Sequence, residues 1–200
     1  MKTFKRFLKE DFVNVTPEMV EHSFNRTNKH IELVNKYLDK IAKLNLSEIN
    51  NDKLFDNHDA SKFEEPELKP YIIINWYYHC KANNLLFELE NIDNITDNAS
   101  FHHIKTNPHH PEYWDSSYNT MQANDKGLEH RDEIADKIVD ASKMPYTNIA
   151  QMVADWTAME EEINNSEHPS AKEWADKNIN VRWKFTPDQI NFIYKLIDLI

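Results

Sequence analysis

The sequence predicts an all-α protein, and three observations carry that prediction. The 200 residues contain a single glycine, Gly127, whereas tight two-residue hairpin turns depend on glycine. Apolar residues recur at spacings of three and four, which is the period of an amphipathic helix. Two helix starts are marked by threonine followed by proline, at Thr16-Pro17 and Thr186-Pro187. We therefore expect a single helical domain over residues 1–200.

The N-terminal half predicts four helices. The first begins at the Thr-Pro start and spans about 17–44. A short second helix over 47–55 is expected from a cap at Ser47. The third, rich in isoleucine and aromatic residues, is expected over about 70–81 because proline favours the first turn of a helix. A less regular fourth helix, with many Asn and Asp residues, is expected over 85–104.

An irregular stretch separates these helices from the C-terminal ones. Residues 105–128 contain Asn-Pro, His-Pro and the single glycine, which together predict a long loop. Long loops in compact domains are often functional. Three helices are expected beyond this loop. The first spans 128–140, the second begins at a cap at Thr147, and a short third one follows Pro169. A capping box at Thr186 opens the last helix, and no strand pair is predicted.

The composition excludes several classes of function. One glycine cannot build a P-loop or a Rossmann phosphate turn, where the backbone must approach phosphate closely. A lone cysteine, Cys80, excludes a disulfide framework and a thiolate zinc site. The formal charge of -11 disfavours duplex nucleic acid as a partner. No signal peptide or bilayer-spanning run is recognised, so we expect a cytoplasmic location and no membrane partner.

Histidine and aspartate residues form an ordered series along the chain. His30 lies on the apolar stripe of the first helix, and His58 is directly followed by Asp59. Asp155 lies at the edge of an apolar helix face, where a carboxylate is costly unless it is paired or bound to metal. Imidazole and carboxylate ligate divalent transition metals, so the series predicts a metal site. Its densest part is a group of four histidines within nine residues: His102, His103, His109 and His110.

This order resembles the HD-domain superfamily of metal-dependent phosphohydrolases. In that superfamily the first His, the His-Asp pair and the last Asp hold one metal, and further His residues hold a second. The runs HDASKF at 58–63, NPHHPE at 107–112 and QMVADW at 151–156 are most similar to an uncharacterised family frequent in phage and bacterial genomes. The resemblance covers about residues 20–200, and it implies a metal-site core over about 17–163 with C-terminal helices over about 169–200 packed on it.

The resemblance implies a role for each matching residue. A lysine at position 62 would neutralise a phosphate, and His102 competes with His103 for one ligand position. Glu67 could accept a hydrogen bond from a ligand histidine or cap the next helix, and Trp114 is a candidate wall for stacking a base. The candidate catalytic and substrate-binding residues are Asp59, Lys62, His103, Asn107 and Trp114, of which Asn107 could either orient a ligand or contact substrate. The implied metal ligands are His30, His58, Asp59, His103, His109, His110 and Asp155.

The activity implied is hydrolysis of a nucleotide or a related small phosphate ester by attack of metal-bound hydroxide on phosphorus. A nucleotidase, a nucleotide triphosphohydrolase and a phosphodiesterase all fit this description. One or two divalent ions are expected, drawn from Mn, Fe, Co, Ni and Zn, with Mg also compatible. Two alternatives stay open, namely a di-iron oxygenase of the same superfamily and a non-catalytic module that binds a nucleotide or a host protein. A homo-oligomer is compatible with the sequence, and a phage-encoded chain would act in the bacterial host's cytoplasm.

Overall fold

Helices account for most of the residues that the computed structural model describes, which are 15–88, 92–118, 137–164 and 170–200. The all-α prediction is therefore confirmed. Two short strands, β1 Val139–Asp140 and β2 Trp183–Lys184, pair in parallel. The α-helices are, in chain order, α1 Pro17–Lys43, α2 Leu68–Ala82, α3 Ile92–Thr106, α4 Pro111–Trp114, α5 Tyr146–Asn164, α6 Lys172–Asn178 and α7 Pro187–Leu199.

Both threonine-proline sequences open helices as predicted. The backbone N–H of Met19 donates to Thr16 Oγ1 at 3.3 Å at the start of α1. At the start of α7 the backbone N–H of Gln189 donates to Thr186 Oγ1 at 3.3 Å, and Thr186 N donates back to Gln189 Oε1 at 2.8 Å. These bonds satisfy N–H groups that have no partner within the first turn of a helix. The two capped ends fix where the first and last helices begin.

The predicted helix over 47–55 and the predicted cap at Thr147 are both wrong, for a shared reason. The chain forms only a 3-10 turn at Asn51–Lys53, capped by the side chain of Asn50. Asn and Asp side chains compete with helical hydrogen bonds and favour turns. Thr147 lies inside α5, and its hydroxyl accepts from the backbone N–H of Asn50 at 2.9 Å. This long-range bond ties the turn to α5 and uses the hydroxyl that a cap would need.

The helix predicted over 85–104 is shorter than expected. Helix α3 begins at Ile92, residues 85–88 are irregular, and 89–91 lie outside the described residues. The loop predicted over 105–128 is irregular where the structure describes it, apart from the last residues of α3 and the single turn of α4. Histidines at the end of α3 and in this loop are thereby placed on two sides of one bend.

The helix predicted over 128–140 is wrong in its described part. Residues 128–136 lie outside the described residues, and the chain then forms β1. The backbone N–H of Val139 donates to the Arg182 carbonyl at 3.0 Å, so a distant segment supplies the hydrogen bonds that a helix would have supplied locally. The strand pair was not predicted, because a strand of two residues is too short to show the alternation of apolar and polar residues that indicates a strand.

The main core lies where α1, α5 and α7 meet. Helix α1 contacts α5 along one side and α2 along another. A second cluster of buried residues, which includes Val20 and Ile72, holds α2 against the first part of α1. No helix in the described ranges has the length and apolar character that crossing a bilayer requires. The buried side chains at the main junction include Val34, Leu38, Ile41, Ile149, Met152, Val153, Ile193 and Leu196.

Candidate metal centre

The Asp59 carboxylate lies at the centre of a buried group of imidazoles. Asp59 is 1% exposed, and its backbone φ of 57° lies in the left-handed region. Aspartate tolerates this conformation better than most residues, for which it costs about 1 kcal/mol. The left-handed residue starts the 3-10 turn Ala60–Phe63 directly after His58. The turn therefore lets two adjacent residues, His58 and Asp59, both point into the interior.

One carboxylate oxygen, Asp59 Oδ2, faces a first group of ligand atoms. It lies 3.7 Å from His30 Nε2 and 3.8 Å from His58 Nε2. Asp155 Oδ1 lies 3.0 Å from His30 Nε2 and 3.7 Å from His58 Nε2. Helix α1 supplies His30 and α5 supplies Asp155, so the packing of these two helices brings together residues that are distant in sequence. We call His30, His58, Asp155 and Asp59 Oδ2 the first ligand group.

The other oxygen, Asp59 Oδ1, faces a second group of imidazoles. It lies 3.2 Å from His103 Nε2 at the end of α3 and 3.6 Å from His109 Nε2 in the following loop. Ligand atoms of His103, His109 and His110 lie within 4.8 Å of one another. The bend between α3 and α4 therefore gathers three of the four clustered histidines. We call these three histidines and Asp59 Oδ1 the second ligand group.

Three buried atoms of the second ligand group have no hydrogen-bond partner among the described residues: Asp59 Oδ1, His109 Nε2 and His110 Nε2. Leaving one such atom unpaired costs about 1–3 kcal/mol. A cation between them would satisfy all three atoms at once. Imidazole and carboxylate are also the donors that divalent transition metals accept. The His/Asp cluster can therefore hold a metal ion.

Burial and pairing set the charges of the cluster without metal. Burial alone would lower the pKa of His30, but hydrogen bonds with Asp155 and Glu162 raise it to about 9. Burial would raise the pKa of Asp155, but the same His30 contact lowers it to about 2. Burial, with repulsion from His103, lowers the pKa of His110 to about 3. Near neutral pH His30 and Asp155 therefore form an ion pair, whereas the His110 imidazole is neutral and ready to act as a ligand.

A buried carboxylate on Glu67 orients the second ligand group from behind. It accepts from His103 Nδ1 at 2.8 Å, from His102 Nδ1 at 2.7 Å and from Ser61 Oγ at 2.8 Å. With its proton held at Nδ1, His103 presents an unprotonated Nε2 to Asp59 Oδ1. His103 Nε2 lies 3.2 Å from Asp59 Oδ1, and a cation between these two atoms would bind both.

These contacts decide between the alternatives that the sequence left open. His103 is the histidine of the cluster, whereas the side chain of His102 is 39% exposed and contacts Glu67 from outside. The side chain of Glu67 makes no cap hydrogen bond to α2, so it supports a ligand histidine rather than the helix. Its pKa would be raised by burial, but the hydrogen bonds from the two histidines lower it, and the carboxylate stays charged.

We expect Glu67→Gln to weaken metal binding by about 10- to 100-fold, because a neutral amide holds the His103 tautomer less firmly. Competition with a coloured chelator would measure the affinity. The matched control is Glu64→Gln, which makes the same change at an exposed position three residues earlier. An affinity that is equal in both variants and in the unaltered protein would contradict this role of Glu67.

The structure places Lys62 at the cluster. Its Nζ donates to Asp59 Oδ2 at 2.5 Å and lies 4.8 Å from the centre of the Tyr71 ring. Burial would lower the pKa of Lys62, but the Asp59 charge outweighs burial and raises it, so the ammonium keeps its proton. A permanent cation beside the ligand groups is suited to bind an anionic ligand.

The sequence predicted that Asn107 and Trp114 contact substrate, but in the structure both side chains donate to nearby backbone carbonyls. Asn107 Nδ2 donates to the His103 carbonyl at 2.9 Å and to Ser61 Oγ at 3.0 Å, so it ties the end of α3 to the turn behind the ligands. Trp114 Nε1 donates to the Pro108 carbonyl at 2.9 Å, and its ring packs against the main core. Neither residue lines the cavity beside the ligands. Substrate contact by these two residues stays a prediction, and the structure shows that local hydrogen bonds hold both side chains.

Two charged residues beside the cluster were missed from the sequence. Glu162 Oε2 lies 3.3 Å from His30 Nδ1, and Glu162 Oε1 lies 2.9 Å from Arg26 Nε. A signal for both existed, since Arg26 lies one turn before His30 on α1 and Glu162 lies two turns after Asp155 on α5. Residues at these spacings share a helix face with the ligands.

A cavity of about 540 Å³ opens beside the two ligand groups. Its walls come from α1, α2, α3 and α5 together with the turn after Asp59. Cationic, aromatic and apolar side chains all contribute to it. Representative lining residues are Arg26, Lys62, Tyr71, Asn75, Met159 and Ile163.

The fold and the site together define the class: a helical protein with a buried His/Asp cluster that can hold a metal ion. The chain belongs to a family whose model matches residues 19–199, and this family is described as a family of unknown function, DUF5662. No curated protein and no solved structure matches the chain significantly.

Proposed function

We propose that this protein is a metal-dependent phosphohydrolase that acts on a nucleotide or a related small phosphate ester. One observation carries the proposal: the two oxygens of Asp59 face two separate ligand groups, beside a cavity lined by the cations Lys62 and Arg26. The order of the ligands along the chain also resembles that of HD-domain phosphohydrolases. The convergence of His30 and Asp155 on one another supports this resemblance.

The residues present fit two divalent ions. The first ligand group would hold one ion and the second ligand group the other, with Asp59 shared between them. Imidazole-rich sites suit Mn, Fe, Co, Ni or Zn, whereas Mg prefers oxygen ligands and keeps several waters. When bound, such ions supply an activated water nucleophile and neutralise charge on the phosphoryl group.

The chain's own residues would bind and orient the substrate. Lys62 would donate to a phosphoryl oxygen, where its fixed positive charge stabilises the negative charge that develops in the transition state. Glu67 would keep the proton on His103 Nδ1, so that Nε2 stays available as a ligand. Met159 and Ile163, which line the cavity, would contact the organic part of the substrate. Each of these roles uses a side chain on a packed helix or a hydrogen-bonded turn, which favours a defined geometry.

The test is a turnover screen with protein of known metal content. The protein is stripped with chelator, reloaded separately with Mn²⁺, Fe²⁺, Co²⁺, Ni²⁺, Zn²⁺ or Mg²⁺, and offered nucleoside mono-, di- and triphosphates, cyclic nucleotides and 4-nitrophenyl phosphate. We expect phosphate or nucleotide release with at least one metal, at a rate at least about 100-fold above His58→Ala, since Lewis-acid stabilisation amounts to several kcal/mol.

The same screen separates the alternatives. Full metal content without turnover of any ester would contradict the proposal. A mixed-valent iron EPR signal with oxygen uptake, and without phosphate release, would favour an oxygenase instead. Nucleotide binding that survives in His58→Ala, with no turnover in the unaltered protein, would favour a binding module.

A further inference from the structure

The cavity beside the ligand groups is long and changes character along its length. On α2 its lining residues run from Tyr71, whose ring lies 5.3 Å from that of His103, to Ala82. The eleven helical steps between these two residues span roughly 16 Å. On α5 the lining runs from the ligand Asp155 to Ile163, which is roughly 12 Å by the same rise. The cavity therefore has an end at the metal ligands and an end about two to three helical turns away.

The end of the cavity away from the ligands is apolar. It is lined by Tyr78 and Ala82 on α2 and by Met159 and Ile163 on α5. Ligand sites of about 300–1,000 Å³ typically combine such an apolar wall with a few fixed polar groups. A volume of about 540 Å³ lies within that range. This end is open to solvent, since Ile163 is 68% exposed. It would contact an apolar or aromatic group, and none of these four residues carries a charge for a second or third phosphate.

Among the residues that the structure describes, the only Lys and Arg side chains that line the cavity are Lys62 and Arg26. Arg26 is held on two sides: its Nε lies 2.9 Å from Glu162 Oε1, and Nη1 donates to Asn75 Oδ1 at 2.5 Å. Asn75 is itself fixed by donating to Ser23 Oγ at 2.8 Å. A guanidinium has five N–H donors, and these two contacts leave donors for a ligand in the cavity. The Arg26 guanidinium is thus held in a fixed orientation one helical turn from His30, with N–H donors available to a ligand.

We infer that the cavity binds a phosphate monoester with one phosphate group and an apolar organic group, and that Arg26 is the residue that selects it. The inference rests on the proposed function, whose site it extends. Arg26 and Lys62 bind the single phosphate at the ligand end, and the organic group lies along Tyr78 and Met159. A triphosphate chain would extend its further charges toward the apolar end of the cavity, where no Lys or Arg among the lining residues offers them a partner.

The test measures binding of phosphonates, whose carbon–phosphorus bond is not hydrolysed, to the protein with its metal bound. Calorimetry should show that phenylphosphonate binds at least about 10-fold more tightly than methylphosphonate and than the β,γ-imido analogue of ATP. Arg26→Gln should weaken phenylphosphonate binding by about 10- to 100-fold, which corresponds to the loss of charge-assisted hydrogen bonds. Arg26→Lys should recover only part of that affinity, because lysine lacks the planar fork.

The matched control is Lys29→Gln, which removes a positive charge from an exposed position one turn away on α1 and should leave binding unchanged. With 4-nitrophenyl phosphate as substrate, Arg26→Gln should raise KM more than it lowers kcat. Equal binding of the ATP analogue, or unchanged phenylphosphonate binding in folded Arg26→Gln, would overturn this inference even if esters are turned over. The expected order of binding without turnover of any ester would overturn the proposed function and support the inference.

Discussion

Replacing Asp59 with Asn is expected to remove both proposed metal ions at once and to lower the proposed phosphohydrolase activity by at least about 1,000-fold. The two oxygens of this carboxylate face the two ligand groups, so its loss affects both of them. Asn keeps the shape of the side chain and tolerates the left-handed backbone at this position. It loses the negative charge, and its NH₂ end is a donor that repels a cation. The lost Lewis-acid stabilisation, worth several kcal/mol, corresponds to the expected loss of rate.

Elemental analysis after dialysis measures the metal content of Asp59→Asn directly. Asp56→Asn is the matched control, because it makes the same change at an exposed position three residues earlier. His30→Gln provides a second comparison, since it alters the first ligand group and leaves the second intact. We expect Asp59→Asn to retain fewer ions than His30→Gln. If Asp59→Asn held as much metal as Asp56→Asn, the shared-carboxylate interpretation would be wrong.

The parts of the fold that were predictable from sequence are those fixed by local interactions. The capping boxes at Thr16 and Thr186 involve residues three apart, so their meaning does not depend on the rest of the chain. The turn at Asn51–Lys53 and the β1–β2 pair depend instead on partners far along the chain. Local sequence patterns contain no information about such distant partners, so the secondary-structure predictions for these two segments were wrong.

The candidate site shows the same division. Asp155 was identified because a carboxylate on an apolar face needs a partner, and the structure gives it His30. Successive helical residues point about 100° apart, so the choice between His102 and His103 depended on how α3 is rotated. That rotation is fixed by Glu67, which is 35 and 36 residues away. Arg26 was missed because its partners, Glu162 and Asn75, meet it only when α1, α2 and α5 pack.

Acid should destabilise the metal-free protein more strongly than a helical domain without a buried histidine cluster. Burial lowers the pKa of His109 well below its usual value and lowers that of His110 to about 3. The unfolded chain takes up protons on these residues below about pH 6.5, whereas the folded protein does not. Stability is therefore present above pH 6.5 and is lost as the pH falls. His58, whose pKa burial also lowers, acts in the same direction.

The opposite shift of His30 limits stability at high pH. Because its pKa is raised to about 9, its contribution is complete below about pH 6.5 and is lost as the pH rises through 9. Asp155, with its pKa lowered to about 2, contributes above pH 3.8 and does not change between pH 5 and 9. The metal-free protein should therefore be most stable near pH 6.5.

Thermal unfolding of the chelator-stripped protein tests this dependence. Two buried neutral histidines cost about 3 kcal/mol between pH 6.5 and pH 5, because the slope is half its limit at pH 6.5 and approaches about 1.4 kcal/mol per group and pH unit below that. For a chain of this size, that cost lowers Tm by roughly 10 °C. His110→Asn removes one of these groups and should reduce the loss, whereas His79→Asn, outside the cluster, should retain it in full. A Tm that stays constant from pH 6.5 to pH 5 would show that the imidazoles of the second ligand group are not buried in their neutral form.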